Sequence, residues 1–232
     1  MMTVYESKKN AIRDAFLKNV YDKCKAEVRT GELNIFVIDD DGNISRAKGI
    51  AGVDFQHRPG MTNTFITHKS NLYTNVRVIY INSNNVGYIS KSPYYINGLR
   101  LDFGGMSTLV IGTNFSCGPT EIRLRDHRDV YIGNDCMFSS LITLWTSDGH
   151  TIFNKNGDVI NRGGDLVIGD HVWVGHGVKF LKKSMVNDDS VVGSSSLITK
   201  QFEEKNVIVA GFPAKVLRQE ISWDRKPPFS FP

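Results

Sequence analysis

Long apolar runs, paired cysteines and runs of one charge are all scarce in this chain. No stretch approaches the ~20 consecutive apolar residues that a membrane-spanning helix needs, and the opening MMTVYESKKNAIRDAF lacks the apolar run of a secretory signal. These two absences give the expectation of a cytoplasmic protein with no membrane span. The three cysteines, Cys24, Cys117 and Cys136, cannot all pair within one chain and have no metal-type spacing; they read as reduced thiols that serve packing. No glycine-rich turn of the nucleotide-binding kind occurs. Basic residues outnumber acidic ones by 28 to 24, for a net charge of +4, but the two signs are interspersed. That distribution argues against a nucleic-acid partner and leaves an acidic glycan or a phosphorylated cofactor as suitable anions.

What is present divides into three zones. Within residues 4 to 30, Ile12, Phe16, Val20 and Cys24 recur every four positions and form one stripe of an amphipathic helix. That stripe packs either on the rest of the chain or on a partner subunit. Residues 33 to about 100 are rich in β-branched and aromatic residues (NIFVID, VRVIYI, GYI) with Gly and Asn between them, the pattern of short strands joined by turns. Residues 1–100 are therefore expected to form an N-terminal helix plus a β-rich region, distinct from the rest of the chain.

The third zone repeats. From Ile168 a bulky apolar residue falls every six positions: Ile168, Val174, Phe180, Val186, Val192, Ile198. Two residues before each stand Leu166, Val172, Val178, Ser184, Ser190 and Ser196, and Gly169, Gly175 and Gly193 follow members of the series directly, where a turning chain benefits from a residue without Cβ. Ile132, Phe138 and Leu144, preceded by Val130, Cys136 and Ile142, repeat the pattern upstream. A six-residue period fits neither a helix nor a hairpin. It fits short flats joined by corners, each inward side chain stacked on its counterpart one coil away, about 4.8 Å distant: a parallel β-solenoid.

WTSDGHTIFNKNGDVINRGG, residues 145–164, interrupts this repeat without shifting its phase. Leu144 and Ile168 are four hexads apart, yet the inward positions between them would hold His150, Asn156 and Arg162, none a plausible core filler. The solenoid must extrude a loop over 146–165. Asp148-Gly149 and Asn156-Gly157 are turn dipeptides, so His150 stands where a rigid flat ends and a loop leaves, a common setting for functional side chains. The bland alternative is a surface turn histidine. Asp148 either orients the imidazole or makes an Asx-turn. Trp173 falls between inward Val172 and Val174 and so faces outward, where a large indole lines a groove or is wasted.

IGDHVWVGHGV, VVGSSSLITK, VIVAGFPAKVLR and IGNDCMFSSLITLWTSDGH together resemble the C-terminal blocks of the hexapeptide-repeat acyltransferases, closest to the bacterial polysaccharide and capsule O-acetyltransferases and the galactoside and maltose group. The resemblance covers residues 101–223 and implies an all-β left-handed parallel β-helix there, with a short C-terminal tail, 224–232. It implies His150 as catalytic base and Trp173 as a groove wall or oxyanion donor. It also implies acetyl-CoA held along His176, Ser194, Thr199, Lys200, Lys215 and Arg218, and a homotrimer with sites between subunits. Lys200, Lys215 and Arg218 are cations suited to the cofactor's phosphates, or else ordinary solvated charges. Some hexapeptide-repeat proteins bind zinc through three histidines. His171 and His176 lack a third partner of that spacing, so no metal is expected.

The implied chemistry needs few parts. A sugar hydroxyl is un-ionised at neutral pH, so attack on a thioester requires a base, a role suited to histidine, and a donor to the oxyanion. The expected activity is transfer of the acetyl group of acetyl-CoA to a sugar hydroxyl of a bacterial capsule or lipopolysaccharide. Within EIRLRDHRD, residues 121–129, Arg123, Arg125, His127 and Arg128 either favour an acidic acceptor or form a charged turn. The alternatives are an N-acetyltransferase of an amino sugar or nucleotide-linked amino sugar and a non-catalytic solenoid. The particular sugar and hydroxyl, and whether the acceptor is monomer or polymer, are not legible.

Overall fold

Parallel pairing of strands separated by one coil generates the whole molecule, described here from a computed structural model over residues 2–231. Three sheets run side by side along a prism. The first face has nine strands, beginning with the antiparallel pair Leu33–Ile38 and Ile44–Ala47 and continuing in parallel through Val130–Ile132, Leu166–Ile168 and Met185–Val186 to Gln201–Phe202. The second face runs from Leu72–Thr74 through Trp173–Val174 to Ile208–Gly211, which is covered by the antiparallel strand Ala214–Arg218. The third face runs from Val53–Gln56 through Ile142–Trp145 to Leu197–Ile198. The two antiparallel strands cap sheet edges that would otherwise be open templates for other chains.

The six-residue reading holds in detail. Ile168 pairs with Val186, Val174 with Val192 and Phe180 with Ile198, each pair eighteen residues apart. All six are 0–1% exposed, as are Leu166, Val172, Val178, Ser184, Ser190 and Ser196 two positions earlier. Gly169, Gly175 and Gly193 are needed for a different reason than turning: a Cβ on Gly169 would lie 2.7 Å from the Asp188 backbone nitrogen. The corner itself is turned by non-glycine residues in the left-handed region. Asn114, Asp135, His171, Asp189 and Asn206, with φ between 53° and 58°, stack there on successive coils.

The boundary expected at residue 101 is not there. Tyr73 pairs with Ile96, Val78 with Leu101 and Phe65 with Gly87, so the coils already run through residues 33–100 in the same three sheets. The first of these coils advances by 30 residues, Leu33 to Asn63, and the following ones by 22 or 23 instead of eighteen, because their corners are longer, and the extra residues destroy the six-residue period. They also hold a larger interior: Tyr80 stacks on Phe103 at 5.0 Å and Phe55 meets Phe65 edge-on at 5.3 Å. Gly87 makes room for these rings, since a Cβ there would stand 2.8 Å from Phe65 Cδ2.

The N-terminal helix α1, Val4–Phe16, starts at Thr3, whose hydroxyl accepts from the Glu6 backbone N–H, half of a capping box. Of the expected stripe, Phe16, Val20 and Cys24 are buried and Ile12 partly so, against Phe36, Ile66, Val110 and Tyr131 on the outer side of the first face. The helix thus packs on its own chain. Lys8 fixes it by ion pairs to Asp170 at 2.5 Å and Asp188 at 2.6 Å, and Lys9 by one to Asp165 at 2.8 Å.

The C-terminal tail is anchored where it begins. Ile221 N–H donates to Asn206 O, Trp223 Nε1 donates 2.9 Å to His171 O, and Arg225 reaches Asp135, Ser116 and the Asn114 and Cys136 carbonyls. Residues 221–225 therefore strap the stacked corner, which binds them because its carbonyls and carboxylates recur at each coil.

Candidate active site

The chain leaves the third face after Trp145 and re-enters the first at Leu166, and between these points it forms a hairpin closed by Phe153 and Val159. Both expected turn glycines adopt the left-handed region, Gly149 at φ +80° and Gly157 at φ +86°. The turn before the hairpin is braced from below and from the side. Ser147 Oγ donates 2.6 Å to Asp126 Oδ2 and accepts from Gly149 N–H, while Asn161 Nδ2 bridges Asp148 Oδ2 at 2.9 Å and the His150 carbonyl at 2.8 Å. Lys182, one coil further on, donates to Asp148 and, at 2.9 Å, to Asn161 O.

His150 is thereby held by its backbone while its imidazole is exposed. Asp148 does not point at that ring; its carboxylate is occupied by Lys182 and Asn161. The hydrogen bond from Lys182 holds the Asp148 carboxyl below its ordinary value, so the brace is fully charged at neutral pH. Sequence spacing gave no sign of Lys182 or Asn161, because the loop folds back by thirteen residues in one case and the solenoid returns by a coil in the other.

Around His150 lies a cleft of about 370 Å³ lined by Asp126, His127, Arg128, Ser147, Asn161 and Arg162. Asp126 is engaged by Ser147, His127 Nδ1 lies 3.1 Å from Gly105 O, and the buried Nε of Arg128 has no hydrogen-bond partner. The 121–129 cluster is therefore split. His127 and Arg128 face the cleft, whereas Arg123 pairs with Glu121 at 2.8 Å and Arg125 donates 2.8 Å to Asp102 O.

The other expected residues lie elsewhere on the prism. Trp173, 40% exposed, stands on the second face between Met137 and Val191 of the adjoining strands. His176 and Ser194 occupy the corner between the second and third faces on successive coils. There the His176 Nδ1 meets Ser140 Oγ at 2.8 Å and the His176 carbonyl accepts from Ser195 N–H. Lys215 pairs with Ala210 near the same corner, while Arg218, opposite Ile208, is at the far end of that strand, about 10 Å away. Exposed Thr199 and Lys200 follow the third face at its exit, the Lys200 ammonium lying 5.1 Å from the Phe202 ring centroid. One protomer thus brings together His176, Ser194 and Lys215, but places His150 in the loop between the third and first faces and Trp173 on the second face. His171 lies between Asp189 and Asp135, and among the described residues no group of three His, Cys, Asp or Glu is arranged to hold a metal. No helix among them is long and apolar enough to cross a membrane.

No protein-family model matches the chain. It is 29% identical over 149 residues to a polysialic acid O-acetyltransferase of Neisseria meningitidis, covering 64% of this chain and 69% of that one. To a polysialic acid O-acetyltransferase of Escherichia coli it is 32% identical over 120 residues, 51% of this chain and 39% of that one. The solved structure of a polysialic acid O-acetyltransferase superposes with TM-score 0.73 at 27% identity, covering 86% of this chain and 90% of that one; that of a polySia-specific acetyltransferase gives 0.72 at the same identity, covering 86% and 87%. In sequence and fold the chain is thus similar to acetyltransferases of the hexapeptide-repeat kind. Its solenoid shares the left-handed parallel β-helix of these structural neighbours, an exception to the right-handed crossover rule. The structural match extends over the early coils that the six-residue period did not reveal.

Proposed function

We propose that this acyltransferase moves the acetyl group of acetyl-CoA to a sugar hydroxyl of a bacterial surface polysaccharide, capsule or lipopolysaccharide, with His150 as general base. The observation that carries this reading is the exposed imidazole of His150, held by a braced turn beside a cleft large enough for a sugar unit. The names of the relatives support the reaction class.

The imidazole takes the hydroxyl proton as the oxygen attacks the thioester carbonyl. The exposed Trp173 indole offers its N–H to the oxygen that gains charge, and the proton then passes to the departing thiolate. The transfer is direct. Burial pushes the thiols of Cys24 up to about 11 and of Cys117 and Cys136 up to about 12, which leaves almost no thiolate at neutral pH and suits none of them to nucleophilic work. The acetyl-CoA arm follows His176, Ser194 and Lys215 along their shared corner, with Thr199, Lys200 and Arg218 nearer the phosphates.

Because His150 lies in the loop between the third and first faces of one prism and Trp173 on its second face, the two are brought together when neighbouring copies meet. A homotrimer, in which each groove is formed by two protomers, satisfies this requirement with closed symmetry. Such an enzyme works in the cytoplasm, where its donor is made. The test is acetyl-CoA-dependent release of CoA thiol against a panel of bacterial polysaccharides and free amino sugars. O-acetylated glycan is the expected product; release with amines alone would replace this reading by N-acetyl transfer, and no release with any acceptor would remove it.

A further inference from the structure

The strap formed by residues 221–225 has contacts out of proportion to the capping of an exposed corner. Arg225 donates to Asp135 Oδ1 at 2.9 Å, Ser116 Oγ at 2.8 Å and Asn114 O at 2.8 Å, and its guanidinium lies 4.3 Å from the Tyr94 ring centroid. It therefore clamps the strap onto several successive coils. Two residues earlier, Trp223 lies parallel to the His171 ring, with centroids 4.2 Å apart and an interplanar angle of 11°, and its Nε1 donates to the His171 carbonyl. His171 is itself fixed by Asp189, 3.0 Å from its Nδ1. The orientation of Trp223 is thus over-determined by a stack, a hydrogen bond and the clamp at Arg225.

Trp223 also neighbours Trp173. The two indole centroids are 6.1 Å apart at 43°. Trp173 stands on a two-residue strand with Met137 and Val191 beside it and is 40% exposed, so its own sheet supports it only in part. Among the aromatic pairs of the described residues, this is the one that joins Trp173 to anything else.

We propose that Trp223 is a positioning residue that fixes the Trp173 indole in the orientation needed at the acyl group, so that the C-terminal strap is part of the catalytic apparatus. The inference rests on the reading of Trp173 given above. It goes beyond it in assigning a role to a residue outside every motif of the repeat. An indole free to turn would present its N–H to the oxyanion only part of the time. Loss of that orientation affects turnover more than binding of the donor, because the oxyanion exists only in the transition state.

The experiment compares wild type, Trp223→Ala, Trp223→Phe, Trp173→Phe and the double variant Trp173→Phe/Trp223→Ala. Two indoles at this separation couple electronically, so far-ultraviolet circular dichroism is expected to show an exciton couplet in wild type that is lost equally when either tryptophan is replaced. Trp223→Ala is expected to lower kcat at least about tenfold, with KM for acetyl-CoA unchanged within about twofold. Trp223→Phe keeps a ring on His171 and should recover part of that loss, and it serves alone if the alanine variant does not fold. The double variant should be no slower than Trp173→Phe, since Trp223 acts through Trp173. Additive losses, or a couplet indifferent to Trp223, would overturn the inference. Impaired Trp173→Phe beside fully active Trp223→Ala would overturn it alone, whereas full kcat in Trp173→Phe would overturn both it and the donor role of Trp173.

Discussion

Ile132 and Ile168 pair directly on the first face although thirty-six residues separate them, while the next pair, Ile168 and Val186, is eighteen apart. The excess equals one complete coil. The extruded loop therefore interrupts the solenoid without altering register, and the inward series resumes in phase.

The loop is thus separable from the fold. Deletion of residues 147–164 leaves Ile168 six positions after Leu144, the spacing of Phe180 and Val186. The shortened protein is expected to fold with a melting temperature within about 5 °C of wild type and to have no transferase activity. Calorimetry and a CoA-release assay check both halves.

The brace beneath His150 gives a second expectation. Lys182 and Asp148 are 21% and 42% exposed, and pairs of that kind contribute at most about 1 kcal/mol to stability. Lys182→Met should therefore leave the melting temperature almost unchanged. It should lower kcat about tenfold, because the turn that aims His150 is released. Equal losses of stability and activity would show that the ion pair serves only the fold.

How much of this could be read from the sequence depends on the coil. Between Val130 and Ile198 the corners other than the extruded loop are short and regular, so Phe138, Val174 and Val192 fall on one six-residue grid and the solenoid is legible. Between Tyr73 and Leu101 the corners are longer, the grid is lost, and the same architecture reads as unrelated strands. His150 was legible as the residue at which the grid fails. Lys182, Asn161 and Trp223 were not, because each reaches its partner through the return of the solenoid or the fold-back of a chain segment, and residue spacing encodes neither.

Gly87 tests the interior of the early coils. A side chain there meets Phe65 and the Phe103 ring at 2.8 and 3.1 Å, so Gly87→Val should destabilise the protein by about 1–3 kcal/mol. At this chain length each kcal/mol lowers the melting temperature by roughly 2–4 °C. An unchanged melting temperature would mean that this interior is looser than its geometry indicates.

Acid should release the helix from the solenoid. Burial acts to raise the Asp188 carboxyl, but hydrogen bonds from Lys205 and Lys8 outweigh it and hold the group below its ordinary value. A depressed native value contributes stability that is complete above the unfolded value, about 4, and is lost as pH falls through the native one. The melting temperature should accordingly be flat from pH 7 to about 5 and fall below about 4. Lys8→Met should lower the plateau and make the acid decline shallower, as thermal melts across pH would show.

The most direct test is the turnover of His150→Ala with a polysaccharide acceptor. The ring is exposed and the structural hydrogen bond of this residue is made by its carbonyl, so the variant should fold and melt as wild type does. Its kcat should fall by about 10²–10⁴ as a general base is lost. A variant that transfers acetyl groups at the wild-type rate would contradict catalysis by His150 and leave the extruded loop without its proposed purpose.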